Sequence, residues 1–376
     1  MNKTPRRSTI CKPAASDVRL RAAKEVPSEA LRRFYERVYP ARADFLTRNW
    51  QWLYRTEEYP NLPGCMLAVV DSEVIGHTGA IPVMLRRGSE ERTSLWFVDV
   101  VIVPEYHGQG VGTMMARAWM SLHPMLMGFG RKQAVDMLAR LDWLPWSRVS
   151  VKRLPLRPER ASGFPRYLAP LGAIAGTAVR AAWRCGTYFS RNLTVSSVCP
   201  ESLNRFVGFD STHRLHVPRT ESFLRWRILS HPSASEYFVL DLDGEYAALA
   251  RFVPSGACRR LHLLTIKDNS GSGSCENESQ NNESRNNEVR SNDTRNQQGI
   301  SRFLRAIIHW AMDQNVDDIV LITSDPGVAA AAGRWLPLGS TVLSTFYGAD
   351  SASRQFLGGN DHQWECLDSD FDLMYS

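Results

Sequence analysis

Residues 99 to 113 hold the groups with the clearest chemical use in this chain. His107-Gly108-Gln109-Gly110-Val111-Gly112 follows Pro104 and leads into Thr113–Leu122, where apolar residues recur at helical spacing. Three glycines in six residues let a backbone turn tightly and come close to a ligand. A helix that begins there offers free N–H groups and the positive end of its dipole, so the chemistry on offer is the holding of an anion. Just upstream, Asp99 is the one carboxylate in an apolar run with Trp96, Phe97, Val98 and Val100. An acid placed there is costly unless it has a partner or a job. His77 titrates in a range useful near neutral pH, although a buried, hydrogen-bonded histidine is the plainer reading.

The elements that must position these groups are legible on either side. Leu95–Val103 is apolar and β-branched, which suits a strand buried on both faces, and Pro104 ends it by removing a backbone donor. Before it, the pattern predicts a short strand over 17–23, a helix over 27–38 with Ser28 as a candidate cap, and a second helix over 43–54. Cys65–Val70 and Glu73–Arg86 read as a hairpin around Asp71-Ser72, with His77 on its second strand. After the loop come the helix 113–122, a strand over 124–130, a helix over 132–141 and a closing strand over 150–156.

The glycine run lacks the Gly-Lys-Ser/Thr ending of a nucleoside-triphosphate loop, and its long, proline-bearing approach does not suit a dinucleotide fingerprint. It resembles motif A of the GNAT acyl-coenzyme A transferases, in Val101-Ile102-Val103-Pro104 followed by His107-Gly108-Gln109-Gly110-Val111-Gly112. His107 stands where Arg or Gln is usual, at a position that contributes mostly backbone. The resemblance covers about residues 17–158 and implies an α/β fold on a mixed sheet. It further implies an acyl-CoA held by Ile102, Val103, His107, Gly108, Gln109, Gly110, Val111, Gly112 and Thr113. A backbone N–H near Ile102–Val103, opened by a bulge, would hold the thioester oxygen, and a carboxylate on or beside that strand would accept the amine proton. Asp99 and, second, His77 are the candidates, and burial among apolar neighbours is expected to raise the Asp99 pKa. Many members carry a tyrosine acid on the later helix, and here Leu138 takes that place in Ala134–Trp143. Tyr106, on the loop side, ranks low as a substitute.

The second half repeats the first faintly. Trp52-Leu53-Tyr54, Pro60 and Leu67–Asp71 recur as Trp226-Arg227-Ile228, Pro232 and Tyr237–Asp241. The expectation is therefore two tandem GNAT-like lobes. A basic disordered tail covers 1–16, the coenzyme-binding lobe 17–158, a linker with a helix 159–192, and a second lobe 193–376. In that second lobe the place of the glycine loop is taken by Asn269–Gly299, whose polar composition predicts disorder and no coenzyme site. The linker helix, over 168–191, carries small apolar residues beside Arg180 and Arg184. A helix packed between lobes and a membrane-surface helix are its two readings.

Composition sets outer bounds. At 376 residues, 43% hydrophobic and 22% charged, the chain has room for two domains with cores of their own. A net charge of +6 does not by itself imply nucleic acid. Seven cysteines without a Cys-x-x-Cys pair point to neither zinc nor a disulfide framework, and to a reducing cytoplasm. No signal peptide is read at the start, and the apolar stretch 167–179 is too short to span a bilayer. The reading is an N-acyltransferase that moves an acetyl group from acetyl-CoA to a small amine, an amino sugar first and an amino acid or peptide second. No metal, nucleic acid or integral membrane segment is expected, and peripheral membrane contact is left open. Its rivals are a non-catalytic acyl-CoA sensor and a two-lobe GNAT transferase using aminoacyl-tRNA, which the intact glycine loop disfavours.

Overall fold

A computed structural model describes residues 17–130, 132–160, 165–185, 192–208, 214–255, 258–269, 282–333, 341–359 and 361–368. The tail 1–16 lies outside the described residues. The chain divides into two compact units. The first comprises 1–83, 93–144 and 346–355, and the second comprises 84–92, 145–345 and 356–376.

In the first unit β1 (Arg19–Ala22) is followed by helices α1 (Ser28–Val38) and α2 (Ala43–Leu53). Ser28 is the first helical residue and Pro27 the cap, so the expected hydroxyl cap is absent. Strands β2 (Cys65–Val70) and β3 (Glu73–Arg87) form the expected antiparallel hairpin. Asp71 (φ 46°) and Ser72 (φ 74°) both take left-handed backbone at its tip, the geometry that matches strand twist in a two-residue turn. Then come β4 (Glu90–Ile102), α3 (Val111–Leu122), β5 (Met125–Gly130) and α4 (Lys132–Ala139). The strands lie in the order β1, β2, β3, β4, β5. One face of this sheet is closed by a core that includes Leu95, Phe97, Trp119, Leu126, Leu138 and Trp143. Trp119 also donates from its indole to the Thr78 hydroxyl at 2.8 Å, so the largest core ring is hydrogen-bonded as well as buried.

In the second unit, α5 (Ala169–Cys185), β7 (Leu193–Ser197) and the one-turn helices α6 (Pro200–Leu203) and α7 (Glu221–Leu224) precede the strands β8 (Tyr237–Leu242), β9 (Tyr246–Ser255) and β10 (Cys258–Asp268). Helix α8 (Asn282–Asp313), β11 (Asp318–Thr323) and α9 (Pro326–Gly333) follow. β8, β9 and β10 are antiparallel and β11 is parallel to β10, which repeats the element order of β2, β3, β4, α3, β5 and α4.

Two expectations are corrected. The boundary near residue 158 falls instead after Leu144, because β6 (Leu144–Pro155) pairs in antiparallel register with β11, from Ser150 with Thr323 to Pro155 with Asp318. In turn the end of β12 (Thr341–Ala349), from Phe346, and helix α10 (Ser351–Leu357), through Gln355, belong to the first unit. Each unit thus takes its last strand from the other half of the chain. Local patterning marks a strand but not its neighbour, so this exchange left no trace in the sequence. The second correction concerns Asn269–Gly299. Residues 270–281 lie outside the described residues, but from Asn282 the chain is helical and continuous with the expected helix from Ile300. Once Ile300–Met312 is anchored on the core, extending the helix adds one hydrogen bond per residue fixed and needs no apolar face of its own.

Candidate active site

The site begins where β4 stops being a regular strand. β4 pairs in parallel with β5 through Leu95–Leu126 and Trp96–Met127. Three residues on, Asp99 takes φ 53°, a left-handed backbone that costs about 1–2 kcal/mol in an L-residue and that Asp tolerates better than most. From Asp99 to Ile102 the strand is half-buried, whereas Ser94 to Val98 is buried. This left-handed residue stands three to four residues before Ile102–Val103, where the bulge is expected. Val103 is also not free to hold an oxyanion, since its N–H donates to the Ile75 carbonyl at 2.9 Å.

Three anchors hold the bulged residue. Arg42, at the start of α2, donates to Asp99 Oδ1 at 2.9 Å, and both side chains are over nine-tenths buried. Tyr54, at the end of α2, donates from its hydroxyl to Asp99 Oδ2 at 3.1 Å. His77 Nδ1–H donates to the Asp99 backbone carbonyl at 3.0 Å, which leaves Nε2 facing the Tyr54 hydroxyl at 3.5 Å. Tyr35 closes the cluster edge-on to His77, with ring centroids 5.5 Å apart, and Tyr35, Tyr54, Cys65 and His77 are fully enclosed. A side chain at Gly79 would overlap the Tyr54 ring, so that glycine makes the room for it.

The electrostatics overturn the expectation for Asp99. Burial pulls its pKa upward and is the largest single influence. The charge of Arg42, His77 and the hydrogen bonds from Arg42 and Tyr54 together outweigh it, so the carboxyl is held below the usual range. Asp99 is thus an ionised, paired carboxylate with both oxygens occupied, ill suited to take a proton from an ammonium. The sequence argument counted apolar neighbours and could not see Arg42, fifty-seven positions away in the chain. His77 matches its plainer reading: enclosure pushes its pKa down despite Asp99, and it is neutral and hydrogen-bonded. Burial raises the Tyr35 and Tyr54 phenols and the Cys65 thiol well above their ordinary values, so none of the three ionises near neutrality.

The anion cradle is built next to this cluster. Pro104–Tyr106 forms one tight turn, and the His107 N–H closes it on the Pro104 carbonyl at 3.1 Å. His107 contributes its side chain after all, since Nε2–H donates to the Ile102 carbonyl at 2.8 Å and ties the loop to the strand end. Gln109 likewise donates to the Glu105 carbonyl at 3.0 Å. Gly108 (φ 77°) and Gly110 (φ 82°) take left-handed backbone with open space where a side chain would project. α3 starts at Val111, and the first intrahelical bond runs from Met114 N–H to the Gly110 carbonyl at 2.9 Å. The N–H groups of Val111, Gly112 and Thr113 lie ahead of any intrahelical acceptor, and no side chain caps them. Gly112 serves packing, since a Cβ there would stand 3.1 Å from Ile102 Cδ1 and 3.2 Å from Met137 Sδ.

Leu138, in the place of the usual tyrosine, is buried in the core with Leu95, Phe97 and Trp119. Tyr106 stays partly exposed on the loop. Arg42, Tyr35 and Tyr54 were not singled out from the sequence. They sit at helix ends and on helix faces where nothing in the local pattern separates them from ordinary packing residues. Among the described residues no group of His, Cys, Asp and Glu could hold a metal ion.

Residues 25–123 match the model of the acetyltransferase (GNAT) family, a span that includes the cluster and the cradle. No curated protein sequence matches. Among solved structures, a putative acetyltransferase from Pyrococcus horikoshii aligns at TM-score 0.52 and 11% identity, over 95% of this chain and 97% of that one. Saccharomyces cerevisiae N-myristoyltransferase with bound myristoyl-CoA aligns at TM-score 0.54 and 11% identity, over 90% of this chain and 84% of that one. At such identities the likeness is one of fold, and it extends over both units. Residues 25–123 thus match the acetyltransferase (GNAT) family, and the chain as a whole shares the fold of these solved structures.

Proposed function

We propose that the first unit binds acetyl-CoA and transfers its acetyl group to a small primary amine, an amino sugar before an amino acid or peptide. One observation carries this reading: β4 leaves β5 after Trp96 and runs, half-buried, into a cradle of unpaired N–H groups at the start of α3. The pyrophosphate would lie against the loop from His107 to Thr113, where N–H groups and the helix dipole favour negative charge. The pantetheine arm would follow Val100–Ile102 as an added strand, with an N–H just past the bulge toward the thioester oxygen. The amine nitrogen attacks the thioester carbon, the C–S bond breaks, and the coenzyme leaves as its thiol.

Asp99 and His77 act in this reading as positioning residues. Together with Arg42 and Tyr54 they fix the left-handed turn at Asp99 from which the slot opens. The buried cysteines Cys65, Cys258 and Cys366 form no disulfide, which suits a reducing cytoplasm. In this reading the coenzyme belongs to the first unit alone, since in the second α8 is already helical from Asn282 through Gly299. A non-catalytic acyl-CoA sensor is the second reading, favoured by Leu138 in the core where an acid is usual.

The test is thermal and kinetic. Acetyl-CoA should raise the melting temperature of the wild type by linkage, and Gly110→Asp should abolish the rise. No shift for the wild type at saturating coenzyme sinks the reading. A shift without release of free thiol across a panel of amino sugars, amino acids and peptides leaves the sensor. A larger shift with long-chain acyl-CoA than with acetyl-CoA would reassign the donor.

A further inference from the structure

Helix α5 is built inside out for a helix on a water-exposed surface. Such a helix ordinarily turns its large apolar residues inward and its charges outward. Here the inward positions are Gly172 and Gly176, both buried, and a Cβ on Gly176 would press on Pro158 Cδ at 2.9 Å and the Leu156 carbonyl at 3.1 Å. Arg180 is also turned to the body of the unit, donating to the Leu156 carbonyl at 2.8 Å. Trp183 packs on the core near the end of the helix, but Leu171 and Ile174 of α5 and Tyr167 in the turn just before it point out, 63%, 68% and 81% exposed. These three stand at i, i+4 and i+7, one stripe along the helix, and exposed Ala175, Ala178 and Ala182 prolong it.

Within the sequence of this stretch, which follows Glu159, the charge has one sign. From Arg160 to Pro200 the sequence holds five arginines and neither an acidic residue nor a lysine. Arg184, in the last turn of α5, is exposed. A protein partner that covered the stripe would have to be both apolar and acidic. An anionic bilayer is both by composition, with acyl chains below and phosphates above. At seventeen residues and with arginines in its last turns, the helix is not built to cross, and among the described residues no helix is long and apolar enough to do so.

We propose that α5 lies flat on an anionic lipid surface, with Tyr167, Leu171 and Ile174 sunk into the headgroup–acyl boundary and the exposed Arg160 and Arg184 near the phosphates. The proposal is independent of acyl transfer and stands or falls on lipid binding alone.

The experiment is flotation of the full chain with vesicles of phosphatidylcholine and phosphatidylglycerol at about two to one, beside vesicles of phosphatidylcholine alone. The wild type should float with the anionic vesicles about tenfold more than with neutral ones, and added salt should weaken the binding. Leu171→Glu with Ile174→Glu should cut anionic-vesicle binding by about tenfold or more while leaving the melting temperature in place, because both side chains are already exposed. Leu171→Gln with Ile174→Gln repeats the loss without added negative charge. A wild type that stays with the protein fraction at low salt, or variants that float as well as it does, overturns the proposal. So does a solution dimer that these variants dissociate, since a second copy would then cover the stripe.

Discussion

Strands β4 and β10 occupy the same place in the element order of their units, and each breaks regularity beyond its parallel pairing. β4 turns left-handed at Asp99, and β10 shifts register between Leu263 and Thr265. What stands beyond the break differs. In the second unit Glu365 bridges to Thr323 at the end of β11 and accepts from the Thr265 hydroxyl, so the C-terminal segment lies against both strands past the break. Arg219 then binds both Glu365, at 2.9 Å, and Asp368. In the first unit the corresponding stretch, Asp99–Ile102, is left half-buried, and the buried ion pair Arg42–Asp99 sits on the bulge itself. The helices differ too. α3 starts at the glycine loop with unpaired N–H groups, whereas α8 has already run from Asn282 when it reaches Gly299. One topology can thus open a slot or fill it, depending on where the buried charges and the helix start are placed.

Breaking the buried pairs should produce the largest effects. Arg42→Met leaves one buried carboxylate without its cation, at a cost of about 3–5 kcal/mol in chemical denaturation. Arg219→Met strands two, Glu365 and Asp368, and should cost more, to the point of lost soluble yield. An Arg219→Met protein as stable as Arg42→Met would mean that the two clusters are not comparable.

The next effect is kinetic. Asp99→Asn keeps the shape but weakens the hold on the bulge, and turnover should fall about a hundredfold with acetyl-CoA binding little changed. If Asp99 positions rather than titrates, the loss should be the same from neutral to alkaline pH. Recovery of turnover at high pH, where the free amine needs no base, would return Asp99 to the role of proton acceptor.

Protonation should separate the two clusters by sign. His77 has a lowered folded pKa, so the stability it contributes is present above the unfolded value of about 6.5 and is lost as pH falls toward the folded one. Glu365 is the opposite case. Burial, its largest influence, raises its pKa, so its penalty is present above the folded value and is relieved as pH falls toward about 4.3. Each slope is bounded by about 1.4 kcal/mol per pH unit. Burial also lowers the His123 and His362 pKa values, so melting between pH 7 and 4.5 should keep a shallower acid-side decline in His77→Gln and show a steeper one in Glu365→Gln. Parallel curves for both variants would remove the contrast.

The sequence carried the first unit further than the second. Strand, proline, glycine loop and helix follow one another within thirty residues, and local chemistry determines each, so the glycine turn and the helix start were legible. The loop tie of His107, the position of the bulge and the state of Asp99 were not, because each depends on a partner outside the local pattern: the Ile102 carbonyl, His77 and Arg42. The exchange of β6 and β12 between units was illegible for the same reason. Apolar alternation fixes a face and leaves the neighbour open. The insert was misjudged because polar composition argues against a core but not against a helix continued from an anchored end.

The smallest effects concern the one glycine each helix sets against its strands. At Gly112 an added methyl would stand 3.1 Å from Ile102 Cδ1 and 3.2 Å from Met137 Sδ, both on side chains that can shift by a few tenths of an ångström. Gly112→Ala should therefore cost no more than about 1 kcal/mol and leave acetyl-CoA binding intact, since the N–H at that position is kept. At Gly299 the same methyl would fall 1.8 Å from the Tyr246 hydroxyl oxygen and 2.5 Å from Cζ, and that ring is buried and stacked on Phe303. The ring cannot yield without unpacking, so Gly299→Ala should cost about 2–3 kcal/mol. The ordering is what matters, with Gly299→Ala lowering the melting temperature more than Gly112→Ala. Equal costs would show that α3 is pressed on β4 as tightly as α8 on β9, leaving the first unit no looser than the second around its slot.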